Sequence, residues 1–334
     1  MDAPEPSAAI APPAARPGPI RTFAELAKVR LNALVLLTTA VGFALGDPFG
    51  LDLARLGWTL LGTGLAAASA SMLNQLAERR RDARMARTAG RPLPTARVNA
   101  ATVFALGVVF GYLGPAVLAF EVNVLAAGLA LANILIYVLV YTPLKPVTTL
   151  NTAVGAVTGA IPPMIGWAAA SGKLETGAWI LGGILFLWQI PHFFALAWMY
   201  RDDYARGGHM MLPVRDPRGE ITARAMVLCS LLLAPVSLAA TLFGVAGFAS
   251  AAVGAIAAVG LALASFRFFA ARTDAAAKAA FLASLAYLPI TLGVMVADRG
   301  PLTGEAWVRG GREPLGVVLP MPEATESAPP AATP

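Results

Sequence analysis

The chain has 334 residues, 57% of them hydrophobic and only 13% charged, with a mean hydropathy of +0.67 and a formal net charge of +6. Soluble globular chains carry about a quarter charged residues, so a soluble domain is excluded. The basic excess sits at the ends of apolar runs and forms no patch of its own, which excludes a nucleic-acid binder.

Residues 1–19, rich in Ala and Pro and without periodicity, are expected to form a disordered tail. They lack the basic, apolar and cleavage regions of a signal peptide, so the first apolar run is expected to stay as an anchor. Apolar runs then recur at about the ~20-residue length that crosses the ~30 Å core of a lipid bilayer. They predict an all-α integral membrane protein, a bundle of nine transmembrane helices at 29–46, 55–77, 98–119, 122–141, 150–170, 177–199, 225–243, 246–269 and 279–297. The membrane domain spans 20–298, with a second disordered tail at 299–334. Internal prolines such as Pro115, Pro162, Pro163 and Pro191 are tolerable where neighbouring helices satisfy the freed backbone groups. Cys229 lies inside a run and is expected to be a buried small side chain. Trp167, Trp179, Trp188 and Trp198 mostly fall near run ends and are expected to be interfacial anchors. Placing the N-terminus in the cytoplasm and the C-terminus on the opposite side puts 20 of the 25 Lys and Arg residues on the cytoplasmic side, as the positive-inside rule requires.

Topology accounts for the seven arginines between 79 and 97, but not for the acids among them. Asn74, Glu78 and Asp82 fall at i, i+4 and i+8 and share one helical face at the end of the second run. A carboxylate near bilayer depth costs roughly 2.5 kcal/mol or more unless paired or wet. Two readings compete: helical ion pairs of Glu78 with Arg81 and Asp82 with Arg79, or a divalent metal on the acids with arginines holding the anion it neutralises. A second loop, "PHFFALAWMYRDDYARGGHMMLPV" (191–214), repeats the theme with Asp202 and Asp203 beside Arg201 and Arg206. Lys145 and Asn151 are expected on the same side. Two acid-plus-arginine clusters at one end of a bundle look like two halves of a diphosphate site.

These stretches resemble the UbiA superfamily of intramembrane prenyltransferases, and within it the haem-farnesylating branch. The residues that carry the resemblance are Asn74–Gln75, Glu78–Arg79, Asp82, Met85, Arg87–Thr88 and Arg91–Pro92–Leu93–Pro94, with "GAIPPMIGWAA" (159–169), Pro191–His192–Phe193 and "YRDDYARGGHMMLPV" (200–214). The likeness runs from about 22 to 298. It departs at Glu78, where the superfamily prefers Asp, and at Ile190 and Phe194, where the branch more often has Pro and Trp.

The resemblance implies transfer of farnesyl from farnesyl diphosphate to a vinyl group of haem B with addition of water, giving haem O, in a bacterial plasma membrane with Mg²⁺ as cofactor. It implies Asn74, Glu78 and Asp82 as first-site metal or diphosphate ligands, Asp202 and Asp203 as second-site acids, and Arg87, Arg91, Lys145 and Arg201 as the anion clamp. Haem would be substrate and not prosthetic group. His192 would ligate its iron or hydrogen-bond a propionate, against the plainer reading of a helix-end histidine bonded to a carbonyl. His209 is expected to be a loop residue. Small residues at 60–71 and 153–160 would line a slot for the C15 tail. A haem A synthase or oxidase-assembly factor would be a partner. Rival readings are a superfamily member acting on an aromatic or quinone precursor, a transporter, or a respiratory scaffold subunit.

Overall fold

The computed structural model describes residues 18–47 and 50–299, so nearly all of both expected tails lies outside the described residues. Nine of the described helices are long and apolar enough to span a membrane. In chain order, a short α1 (Pro19–Leu26) leads into α2 (Val29–Gly46), α3 (Leu53–Asp82), α4 (Ala100–Glu121), α5 (Val124–Leu144), α6 (Asn151–Ser171) and α7 (Thr176–Met199). Two short helices follow, α8 (Arg201–Arg206) and α9 (Leu212–Arg215), before α10 (Glu220–Leu242), α11 (Phe248–Ala271) and α12 (Asp274–Ala297). The expected spans match in number and order. The largest departures are at ends where charges are carried on helical backbone: α3 continues past 77 to Asp82, and α10 and α12 start earlier, at Glu220 and Asp274. Hydropathy reads where the apolar run stops, whereas the helix stops where its backbone is capped.

The central helix is α6, whose residues are buried along most of its length. It packs on α2 with the backbones in contact. A Cβ on Gly42 would meet the carbonyl oxygen of Pro163, and one on Gly166 would meet that of Thr39. Lipid tails give helices no hydrophobic reason to associate, so small residues that permit such close approach supply the packing energy instead. Buried hydroxyls add cross-helix bonds, Ser230 with Ser265 at 3.0 Å and Ser237 with Tyr287 at 3.1 Å. Leu34, Phe104, Tyr112, Leu139, Leu231 and Ile256 are exposed on the outer face, where lipid is expected.

Two features of the fold shape the site. The fourth span carries a wide π-helical turn over Ile136–Tyr141, a distortion that often accompanies functional sites. The 83–99 segment is a run of turns that buries Met85, Thr88 and Leu93. The tryptophans correct the anchoring expectation. Trp179 is exposed, but Trp167 and Trp198 are buried, and Trp188 donates its indole N–H to the Ser284 carbonyl at 2.6 Å. The indole N–H of Trp188 is satisfied inside the bundle and that of Trp167 by Glu175, the half-buried N-cap residue of α7, so headgroups are not needed for either. Cys229 is half-buried, not enclosed.

The α2–α6 contact predicts that Gly42→Ala lowers the thermal unfolding midpoint of detergent-purified protein, by an overpacking cost of about 1–3 kcal/mol. Gly260→Ala, where an added Cβ meets nothing within 4 Å, does not lower the midpoint.

Candidate active site

The last turns of α3 bury Asn74, Gln75, Glu78 and Asp82, as the i, i+4, i+8 spacing requires. Glu78 is 5% exposed and Asp82 1%, too little for water to hold their charge. Their partners come from elsewhere in the chain. Lys145 Nζ lies 2.9 Å from Glu78 Oε1, and Arg91 donates to Asp82 Oδ2 at 2.8 Å. The expected pairs of Glu78 with Arg81 and Asp82 with Arg79 do not form, because the acids face the bundle while Arg79 is exposed and bonded to the Leu76 carbonyl.

The π turn sets up one wall. It brings Tyr141 beneath Lys145, whose ammonium sits 4.5 Å from the ring centroid, and Thr142 to Asn74, whose amide donates to it at 3.0 Å. Burial disfavours the Lys145 charge, but the facing oxygens of Tyr141 and Glu78 outweigh it and hold the lysine pKa above its ordinary range.

The second loop closes over the first. Asp203 Oδ1 accepts from the Ala86 N–H at 2.7 Å and from Arg206 at 2.7 Å, while Oδ2 accepts from the Arg87 N–H at 3.3 Å. Burial works against this carboxylate, yet those bonds hold its pKa below the usual carboxylate range. Arg87 lies over the rings of Tyr200 and Tyr204 and donates to the Tyr204 hydroxyl at 3.1 Å. Met210 N–H donates to the Lys145 carbonyl at 2.6 Å, and Asn151 donates to the Met210 carbonyl at 2.9 Å. The structure thus joins the first loop, the second loop, Lys145 and Asn151 in one assembly at one end of the bundle.

Some expected residues are not joined to it. Arg201 donates to Asp274 at 2.8 Å and to the Trp198 carbonyl at 2.9 Å. Asp202 is exposed. His192 bonds Ser284 on α12, a side chain and not a carbonyl. The small residues Ala66, Ala67 and Ala70 of α3 border a cavity of about 20 Å³ shared with α2, α5 and α6, room for about one water, so a farnesyl chain does not fit it as packed.

Two residues of the site escaped sequence reasoning. Lys28 adopts a left-handed conformation, φ 45°, and donates to Asn74 Oδ1 at 2.9 Å; burial pushes its pKa down. It was legible only as a topology charge. His209 is 4% exposed, with a buried Nδ1 that has no partner. Burial lowers its pKa, and the charges bearing on it are Glu78, Lys145, Arg81 and Asp82.

Among the described residues no group of three or more His, Cys, Asp or Glu is close enough to hold a metal by itself. Asp82 Oδ1 is nevertheless buried without a hydrogen-bond donor, and Glu78 Oε1 has the Lys145 ammonium beside it. Mg²⁺ is ordinarily held by one or two carboxylates plus substrate phosphates, so the orphaned Asp82 oxygen with the Glu78 carboxylate one turn away fits such an ion.

The profile of the UbiA prenyltransferase family matches residues 35–286. A protoheme IX farnesyltransferase of Solibacter usitatus is 41% identical over 289 residues, covering 84% of this chain and 99% of that protein. One of Salinibacter ruber is 43% identical over 277 residues, covering 82% and 96%. A solved structure of a UbiA homologue from Archaeoglobus fulgidus bound to DMAPP and Mg²⁺ has a TM-score of 0.60 at 16% identity, covering 82% of this chain and 99% of that one.

The Asp203 bonds predict a measurable clamp. In Asp203→Ala, trypsin cuts the arginines of 83–99 about tenfold faster or more, since hydrogen bonds to a charged group are worth ~1.5–3 kcal/mol each. Because the folded pKa is depressed, this stabilisation is present above the unfolded value of about 3.9 and lost as pH falls through the folded one. The midpoint difference between wild type and Asp203→Ala is therefore expected to stay flat from pH 8 to 5 and to shrink only in stronger acid.

Proposed function

Since the chain belongs to the UbiA prenyltransferase family, we propose that it transfers a farnesyl group from farnesyl diphosphate to a vinyl group of haem B, with addition of water, giving haem O and diphosphate. The observation that carries this reading is the identity of 41% to a protoheme IX farnesyltransferase along 99% of that protein's length. The buried acid and cation assembly is what such a reaction needs.

The chemistry has one hard step, breaking the allylic C–O bond, which sends its electron pair onto the diphosphate. Lys28, Lys145 and Arg91, with Arg87 at the exposed rim, form the preorganised clamp that meets this charge. Glu78 and Asp82, with Asn74 beside them, would hold Mg²⁺, which when bound supplies Lewis-acid stabilisation of the leaving group. His209 has an unpartnered ring nitrogen to offer a phosphate oxygen. Asp203 acts by holding the first loop in place, with Asp202 and Arg201 at its edge. The vinyl π electrons then form the new C–C bond, and water captures the cation left on the adjacent carbon and gives up a proton. The charge distribution supports a cytoplasmic face for this end of the bundle, in the plasma membrane of a bacterium. A haem A synthase or an oxidase-assembly factor is the class of partner that would take up the product.

The test is an assay with purified protein, haem B, farnesyl diphosphate and Mg²⁺, with products read by mass spectrometry. A hydroxyethylfarnesyl haem is expected, falling about 10²–10³-fold in both Glu78→Gln and Asp82→Asn, the scale of losing one preorganised electrostatic group. Turnover of an aromatic or quinone precursor in place of haem would overturn the acceptor assignment, and undiminished activity in both variants would overturn the site.

A further inference from the structure

The pair α7 and α12 holds His192 in a setting separate from the acid assembly. Trp188, one turn earlier on α7, stacks against the imidazole at 5.0 Å between centroids, and Phe281 of α12 stacks against it at 4.8 Å. Phe193 meets it edge-on at 5.5 Å. With two near-parallel rings flanking it, the imidazole is open to a ligand chiefly in its own plane. A planar molecule that binds by stacking is disfavoured there, and an atom that bonds along a nitrogen lone pair is not.

Which nitrogen keeps a lone pair follows from where the Ser284 hydrogen is assigned, and the shorter of the hydroxyl's two contacts takes it. Its hydroxyl has one hydrogen, donated to the Phe281 carbonyl at 2.6 Å, a helical back-bond. Its oxygen is then left to accept from His192 Nδ1, 2.9 Å away. A neutral imidazole so bonded carries its proton on Nδ1 and its lone pair on Nε2. Trp188 is tied to the same residue through its bond to the Ser284 carbonyl, so wall and ring share one anchor.

We propose that Ser284 is a positioning residue, holding His192 as the Nδ1–H tautomer so that Nε2 takes the iron of haem. The inference rests on haem being the acceptor substrate. It also decides between two roles for His192, because a hydrogen bond to a haem propionate needs the proton on Nε2 that this bonding removes. Histidines that ligate metals commonly donate their other ring N–H to a fixed acceptor, which sets both tautomer and orientation.

Ferric haem B titrated into the purified full-length protein in lipid nanodiscs tests this, with absorption and electron paramagnetic resonance spectra as the readout. Wild type is expected to give a histidine-ligated signature that His192→Ala lacks. Ser284→Ala frees the ring to take the other tautomer and is expected to weaken haem binding about 10–100-fold, the range for losing such an outer partner. Ser284→Thr, which keeps the hydroxyl, restores it. An unchanged signature in His192→Ala, or wild-type affinity and spectra in Ser284→Ala, overturns the proposal, as does a wild type that binds no haem. Product formation measured in parallel separates the two readings. Haem ligated through His192 with no farnesylated product sinks the reaction and keeps the positioning role; product from a protein whose haem spectrum ignores His192 does the reverse.

Discussion

Charge carried to the edge of the hydrocarbon must be neutralised where it sits, at a cost of several kcal/mol otherwise. Glu78 and Asp82 impose this constraint, and much of one end of the molecule answers it. Lys145 reaches Glu78 because the fourth span changes its winding before it ends. Arg91 reaches Asp82 because the 83–99 segment folds back over the helix that precedes it. That segment stays down because Asp203 accepts two of its backbone N–H groups, and its far side is tied to α1 by Arg97, which bonds both Glu25 and the Gly90 carbonyl. Removing either acid would leave a buried cation as exposed to the same penalty as the acid it now offsets.

The arrangement also suits ligand exchange. Each acid carries a cation, and Asp82 also keeps an oxygen with no hydrogen-bond donor, so on the proposed reading a diphosphate and its counter-ion would arrive as a complementary pair. On that reading the cations would turn to the phosphates and the carboxylates to the metal, with little change in the net charge buried. A site of solvent-exposed charges would gain less, since water already screens them.

The sequence exposed the spans, their order and the face shared by Asn74, Glu78 and Asp82, because hydropathy and the 3.6-residue period are local properties. The partners of the acids were not legible. Arg79 and Arg81 were near in sequence, while Lys145 and Arg91 are near only once the bundle and its loop have folded. The same holds for His209, which reads as a polar loop residue until the loop is seen to be buried, and for Lys28, whose left-handed backbone turns it inward. Trp188 sits at the middle of its run, and its bond to Ser284 spans helices far apart in the chain, so neither hydropathy nor spacing gave its role. The tails were read from composition alone.

The π turn at Ile136–Tyr141 has a consequence for how this protein can drift over generations. A residue added to or removed from a helix rotates everything beyond it by about 100°, from the 3.6-residue repeat. Loss of one apolar residue from the α-helical stretch before the π turn, Val124–Leu135, would leave the run apolar and long enough to span, while swinging that turn, Thr142 and Lys145 off the faces they now occupy. Such a deletion is silent to every measure of membrane insertion. Selection against it could act only through the chemistry at the helix end, so the length of this segment should be more tightly constrained than its composition.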